Sequence, residues 1–145
     1  MKATVRKKKP AAELGSVVKN GSRTPNELVK VVQEGLPFDE LESLRKELAL
    51  PLDQLGEKLG IPRATLHRRK AAGRLASDES DRVIRFARIL RQAEMVFGTV
   101  DRARQWLSFP QYGLGGVIPL DYARTEVGAR EVENLLGCIE YGVLS

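Results

Sequence analysis

The sequence predicts an all-α protein in which a helix-turn-helix unit is joined by a long helix to a second, smaller helical unit. Three observations carry this. Apolar residues recur at i, i+3 and i+4 through most of the chain, in stripes that begin at capping residues or prolines and stop at glycines. Between Leu50 and Leu75 two such stripes meet at Gly60-Ile61, the corner of a helix-turn-helix. No segment reads as a strand, and no internal repeat is present.

The elements follow in order. Residues 1–23 form a basic arm, Lys2, Arg6, Lys7, Lys8, Lys9, Lys19 and Arg23, expected to be mobile; it either strokes DNA phosphates or only keeps the chain soluble. Thr24-Pro25-Asn26-Glu27 is a capping box with proline at the first helical position, and Leu28, Val31 and Val32 carry that helix to Glu34. Pro37 or Asp39 opens the next helix, whose core face is Phe38, Leu41, Leu44 and Leu48, and which ends before Pro51. The first helix of the pair starts at Leu52 or Asp53, buries Leu55 and Leu59, and stops at Gly60. Its partner begins at Pro62. Ser77 is expected to cap a long joining helix from about Asp78 to Phe97, with Val83, Ile84, Ala87, Leu90, Val96 and Phe97 as its apolar residues. Thr99 caps a helix from Val100 to Leu107, after which Ser108 to Pro119 is rich in helix breakers. Pro119 starts a short helix to about Arg124. Thr125 and Gly128 precede the last helix, in which Val132, Leu135, Leu136 and Ile139 fall at i, i+3, i+4 and i+7 before Gly142 ends it. The boundaries are thus 1–23 for the arm, 24–76 for the helix-turn-helix unit, 77–98 for the joining helix and 99–145 for the second unit.

The partner helix of the pair is short, basic and mostly outward-facing. At about 100° per residue, turning Leu66 to the core turns Ala64, His67, Arg68 and Ala71 away from it, with Arg63 and Thr65 on the flanks. Arginine can bond guanine O6 and N7 in a fork, and threonine can meet a base edge or a thymine methyl. Arg63, Thr65, His67, Arg68, Arg69 and Arg74 are therefore the candidate DNA-binding residues. The same pattern also describes a merely solvated helix face. Homodimerisation is expected, because two-fold partners reach half-sites about 34 Å apart where one helix-turn-helix gives little affinity.

Charge and composition narrow the classes. With 145 residues and 42% hydrophobic content the chain can fold one or two small domains. A net charge of +5 suits a polyanionic partner, but its distribution says more. Through Gly35 there are eight Lys or Arg against three Glu, whereas beyond Leu90 five Arg face seven acids, so the two ends should meet different partners. A single cysteine, Cys138, forms no internal disulfide, no Cys/His spacing suggests zinc, and a reducing cytoplasm is the expected setting. No signal-peptide or membrane-spanning run is read, so no membrane partner is expected. His67, the one histidine, lies far in sequence from Cys138, which argues against nucleophilic and metal-assisted catalysis; the expectation is a non-enzyme without a cofactor.

The second half carries a more specific signature. Trp106-Leu107, Pro110, Leu114-Gly115-Gly116, Pro119-Leu120-Asp121, Thr125, Gly128, Val132, Leu135-Leu136 and Ile139-Glu140-Tyr141-Gly142 resemble the toxin-binding domain of the MbcA/ParS/Xre antitoxin family. Upstream, Gly35-Leu36-Pro37, Leu59-Gly60-Ile61, Thr65-Leu66, Arg68-Arg69, Gly73-Arg74-Leu75 and Glu79-Ser80-Asp81-Arg82 resemble the Xre-type helix-turn-helix half of the same proteins. The resemblance spans about residues 27 to 143.

It implies an Xre-type antitoxin of a type II pair, whose partner is a RES-domain toxin that consumes or transfers from NAD. The second unit would cover the entrance to the toxin's active site while the helix-turn-helix represses the shared operon at its operator DNA. The toxin-facing residues it implies are Pro110, Leu114, Gly115, Gly116, Glu140, Tyr141, Gly142, Val143 and Leu144. Gln111 departs from the family, in which asparagine is expected after the loop proline. The residues themselves leave other readings open: Trp106 as a core residue or an anchor for a partner, Gly115-Gly116 as a tight turn or a close approach, Glu140 as simply solvated. The alternative function is a stand-alone homodimeric transcriptional regulator with a C-terminal dimerisation or effector module.

Overall fold

A computed structural model describes residues 24–142; the basic arm at 1–23 and the tail at 143–145 lie outside the described residues. Those described are helical throughout, apart from turns and two isolated bridges, Pro37 with Arg74 and Gln111 with Val117. The helices are α1 (Pro25–Glu34), α2 (Phe38–Leu48), α3 (Leu52–Leu59), α4 (Arg63–Ala72), α5 (Ser77–Phe97), α6 (Val100–Ser108), a 3-10 turn at Tyr112–Leu114, α7 (Pro119–Tyr122) and α8 (Glu126–Tyr141). The all-α reading holds.

Most of the boundaries follow from their capping chemistry. The box at the start of α1 closes as expected: Glu27 N–H donates to Thr24 Oγ1 at 3.2 Å, and Thr24 N–H donates to the Glu27 carboxylate at 3.4 Å. Thr99 accepts from Arg102 N–H at 3.1 Å and so caps α6. Several starts differ from expectation. Pro62 precedes α4 as its cap residue, and the first helical residue is Arg63. Ser77 is not the cap of α5 but its first residue; Ala76 occupies the cap position and has no side-chain acceptor. Glu79 supplies what alanine lacks, its carboxylate accepting from Ala76 N–H at 2.8 Å. Near the other end of the chain, Thr125 caps α8 directly, bonding Gly128 N–H at 3.0 Å, so Gly128 lies inside the first turn and not before the helix. A Cβ at that position would fall 1.7 Å from the carbonyl oxygen of Tyr122, which is why the α7–α8 corner needs glycine there.

α5 does more than join two units. It packs against α1, α2 and α3 of the first half and α6 and α8 of the second, burying Val83, Phe86, Ala87, Ile89, Leu90 and Ala93. The apolar core runs without a break from Leu36 to Leu136 around this helix. In the helix-turn-helix, Leu55, Leu59, Ile61 and Leu66 are buried. Gly56 lets α3 and α4 close on one another, since a Cβ there would lie 2.7 Å from Leu66 Cδ2. The Leu36–Leu75 pairing, with Leu75 N–H donating to Leu36 O at 2.8 Å, returns the chain from α4 to the spine.

Candidate functional site

Leu66 is 1% exposed, and with that anchor α4 presents its outer face as the helical period requires. Ala64, His67, Arg68, Lys70 and Ala71 are exposed, and so is Arg63. Thr65 is half-buried and accepts from Arg68 Nη2 at 3.4 Å. The six candidate DNA-binding residues therefore divide. Arg63, His67 and Arg68 point outward, with Thr65 beside them. Arg69 instead bonds the buried carboxylate of Glu79 at 2.8 Å, an interaction that raises the guanidinium pKa above its ordinary value through hydrogen bonding and charge. Arg74 donates to the Gly35 carbonyl beyond the end of α4. Glu79 thus ties α4 to α5 while capping α5, so Arg69 and Arg74 have structural partners in the free protein.

In the second half the breaker-rich segment is a closed turn. Gln111 N–H donates to Val117 O at 3.1 Å and Gly116 N–H returns to Gln111 O at 2.9 Å. Gly115 and Gly116 both have positive φ, 72° and 87°, and none of the described residues crowds either position. Their role inside the molecule is therefore the left-handed turn. Gln111 uses its longer side chain to donate from Nε2 to Trp106 O at 2.9 Å, fastening the turn to the end of α6.

The implied toxin-facing residues also divide. Pro110, Gly115, Gly116, Glu140, Tyr141 and Gly142 are exposed. Leu114 is 9% exposed and belongs to the core, where it anchors the turn. Val143 and Leu144 lie outside the described residues. Trp106 is half-buried and stacks at a tilt on Phe97, ring centroids 5.6 Å apart, as a core residue does. Two residues that sequence reasoning passed over stand out: Phe109 is 63% and Tyr112 is 99% exposed on either side of Pro110. The available signal was aromatic residues in a loop, away from any apolar stripe that could bury them.

The two halves interlock through polar contacts. Arg124, just beyond α7, donates to the last carbonyls of α3, reaching Glu57 O at 2.7 Å and Lys58 O at 3.3 Å. Lys58 pairs with Asp121 at 2.7 Å. Arg85 of α5, itself buried, donates to Arg124 O at 2.7 Å and pairs with Asp81 and Glu126 at 3.0 and 3.3 Å. Among the described residues no cluster of His, Cys, Asp and Glu is arranged to hold a metal, and no helix is long and apolar enough to cross a membrane.

Compared with known proteins, residues 27–88 match the Antitoxin Xre-like helix-turn-helix domain, and residues 92–142 match the Antitoxin Xre/MbcA/ParS C-terminal toxin-binding domain. The boundary between the two matches falls inside α5. The chain is 36% identical over 120 residues to an Antitoxin Xre of Yersinia enterocolitica, covering 81% of each protein. It is 35% identical to an Antitoxin Xre of Photorhabdus laumondii over 79% of each. A Prs ADP-ribosylating antitoxin of Sphingobium is 27% identical over 92% of this chain and 98% of its own length.

Proposed function

The chain belongs to the Xre antitoxin family, and from that premise we propose that it neutralises a RES-domain, NAD-consuming toxin and represses its own operon. The observation that carries the first part is the hydrogen-bonded turn from Gln111 to Val117, at which Phe109 and Tyr112 face outward from the half matching the toxin-binding domain. Exposed aromatics on a preorganised turn bind a partner with little ordering cost. In this reading Phe109, Pro110, Tyr112, Gly115 and Gly116 meet the toxin together with Glu140, Tyr141, Gly142, Val143 and Leu144, and cover its active-site entrance. Leu114 holds the turn from beneath. The name of the Sphingobium relative couples an antitoxin with ADP-ribosylation, a chemistry that draws its group from NAD, and this supports an NAD-using partner.

Repression falls to α4. Arg63, Thr65, His67 and Arg68 contact base edges, while Arg69 and Arg74 hold the helix in place. Two copies act as a homodimer on operator half-sites in the cytoplasm, and the chain itself performs no catalysis. The test is co-expression with the product of the neighbouring gene, followed by copurification and an assay of cellular NAD. A complex with NAD preserved is expected. Absence of a complex, with NAD unaffected by the neighbour, would sink the toxin assignment.

A further inference from the structure

Asp53 stands in the first turn of α3 and reaches across to α4, where its carboxylate divides between two outward side chains. Oδ2 lies 3.3 Å from Arg63 Nε, and Oδ1 lies 3.4 Å from His67 Nε2. Arg63 and His67 are four residues apart, so they stand one above the other on one face of α4. The three side chains are 47%, 78% and 53% exposed, so the cluster lies open to any duplex that meets this face. Polar contacts this exposed add little to folding stability. The contrast with Arg69 is informative, because its partner Glu79 is buried and ties two helices together. Glu57 lines the same hollow as Asp53 and Arg63, so the acidic side of this surface comes from α3 and the basic side from α4.

A carboxylate at this place opposes indiscriminate DNA binding. Phosphate attraction is the sequence-independent part of affinity, and an arginine held by a carboxylate is less free to supply it. We propose, on the reading of α4 as the DNA-contacting helix, that Asp53 is a specificity-determining positioning residue. It holds Arg63 and His67 in one geometry, aimed at base edges, and withholds Arg63 from the phosphates of non-operator DNA.

The test compares wild type, Asp53→Asn, Arg63→Gln and the double variant on two duplexes, one covering the DNA immediately upstream of the gene and one scrambled from it. Circular dichroism verifies that each variant is folded. Asp53→Asn should bind the scrambled duplex about fivefold more tightly at about 0.15 M salt, with a log–log salt slope steeper by about 0.9, the values for one added phosphate contact. Binding to the upstream duplex should not tighten, so discrimination falls about fivefold. In the Arg63→Gln background the same change should leave scrambled binding as it was. Equal tightening on both duplexes, a gain that persists without Arg63, or unchanged scrambled binding would each overturn the proposal. A wild-type protein that binds neither duplex overturns the reading of α4 itself, and this inference with it; one that binds both alike overturns the inference alone.

Discussion

If the proposed function is right, Arg68 and Tyr112 should let its two activities be lost one at a time. Arg68 is exposed on α4, where a base-reading arginine contributes about 1 to 3 kcal/mol; Arg68→Ala should weaken operator binding by that amount in gel shifts and leave toxin neutralisation intact. Tyr112, fully exposed on its turn, should behave as an interface anchor. Tyr112→Ala is expected to cost about 2 kcal/mol of toxin affinity by calorimetry, with operator binding unchanged. A variant of either kind that loses both activities contradicts the division of labour. Gly128 is a residue of another sort. Its place against the Tyr122 carbonyl leaves no room for a methyl group, so Gly128→Ala should destabilise the protein by about 3 kcal/mol in urea unfolding, at the upper end of overpacking costs.

Among the elements, α4 shows how little of its orientation is its own. One buried residue, Leu66, faces inward, and the helix is held by that contact, by Arg69 on Glu79 and by Arg74 on Gly35 O. Gly56→Ala would press a methyl group on Leu66 from the facing helix. The atom it meets is the free end of the Leu66 side chain, so the expected cost is about 1 kcal/mol in urea unfolding. That the pair exists was legible in the sequence, because Gly60, Pro62 and the Leu55, Leu59 and Leu66 spacing are local signals. The helical period also turned Arg68 outward; what it could not give is the partner of Arg69, because Glu79 lies on a later helix. Ser77 misled for a similar reason: a serine before a helix normally caps it, but here the Glu79 carboxylate caps from inside, and the start moves by one residue. In the second half Leu114, expected to face the toxin, is instead buried beside α8 by the closed turn, which leaves Tyr112 in solvent.

Across the whole molecule, the unbroken core around α5 and the Arg124 and Arg85 contacts join the halves that the sequence separates at the long helix. Unfolding should therefore follow a single transition, with coincident midpoints from far-ultraviolet dichroism and Trp106 fluorescence. Arg85→Ala removes a buried charged donor from the Arg124 carbonyl, and a loss of about 2 kcal/mol is expected. Two separated transitions would mean that the halves fold independently. The sequence by itself determined the helical class, the order of the elements, the helix-turn-helix pair and, through the spacing of Trp, Pro, Gly-Gly and Thr-x-x-Gly, the family. Those properties rest on periodicity, capping and turn chemistry, which act over a few residues. Tertiary structure decided which basic side chains are tied to partners within the fold, which loop residues face solvent, and that the long helix is a shared core wall, because each of these depends on groups that meet only when distant segments pack together.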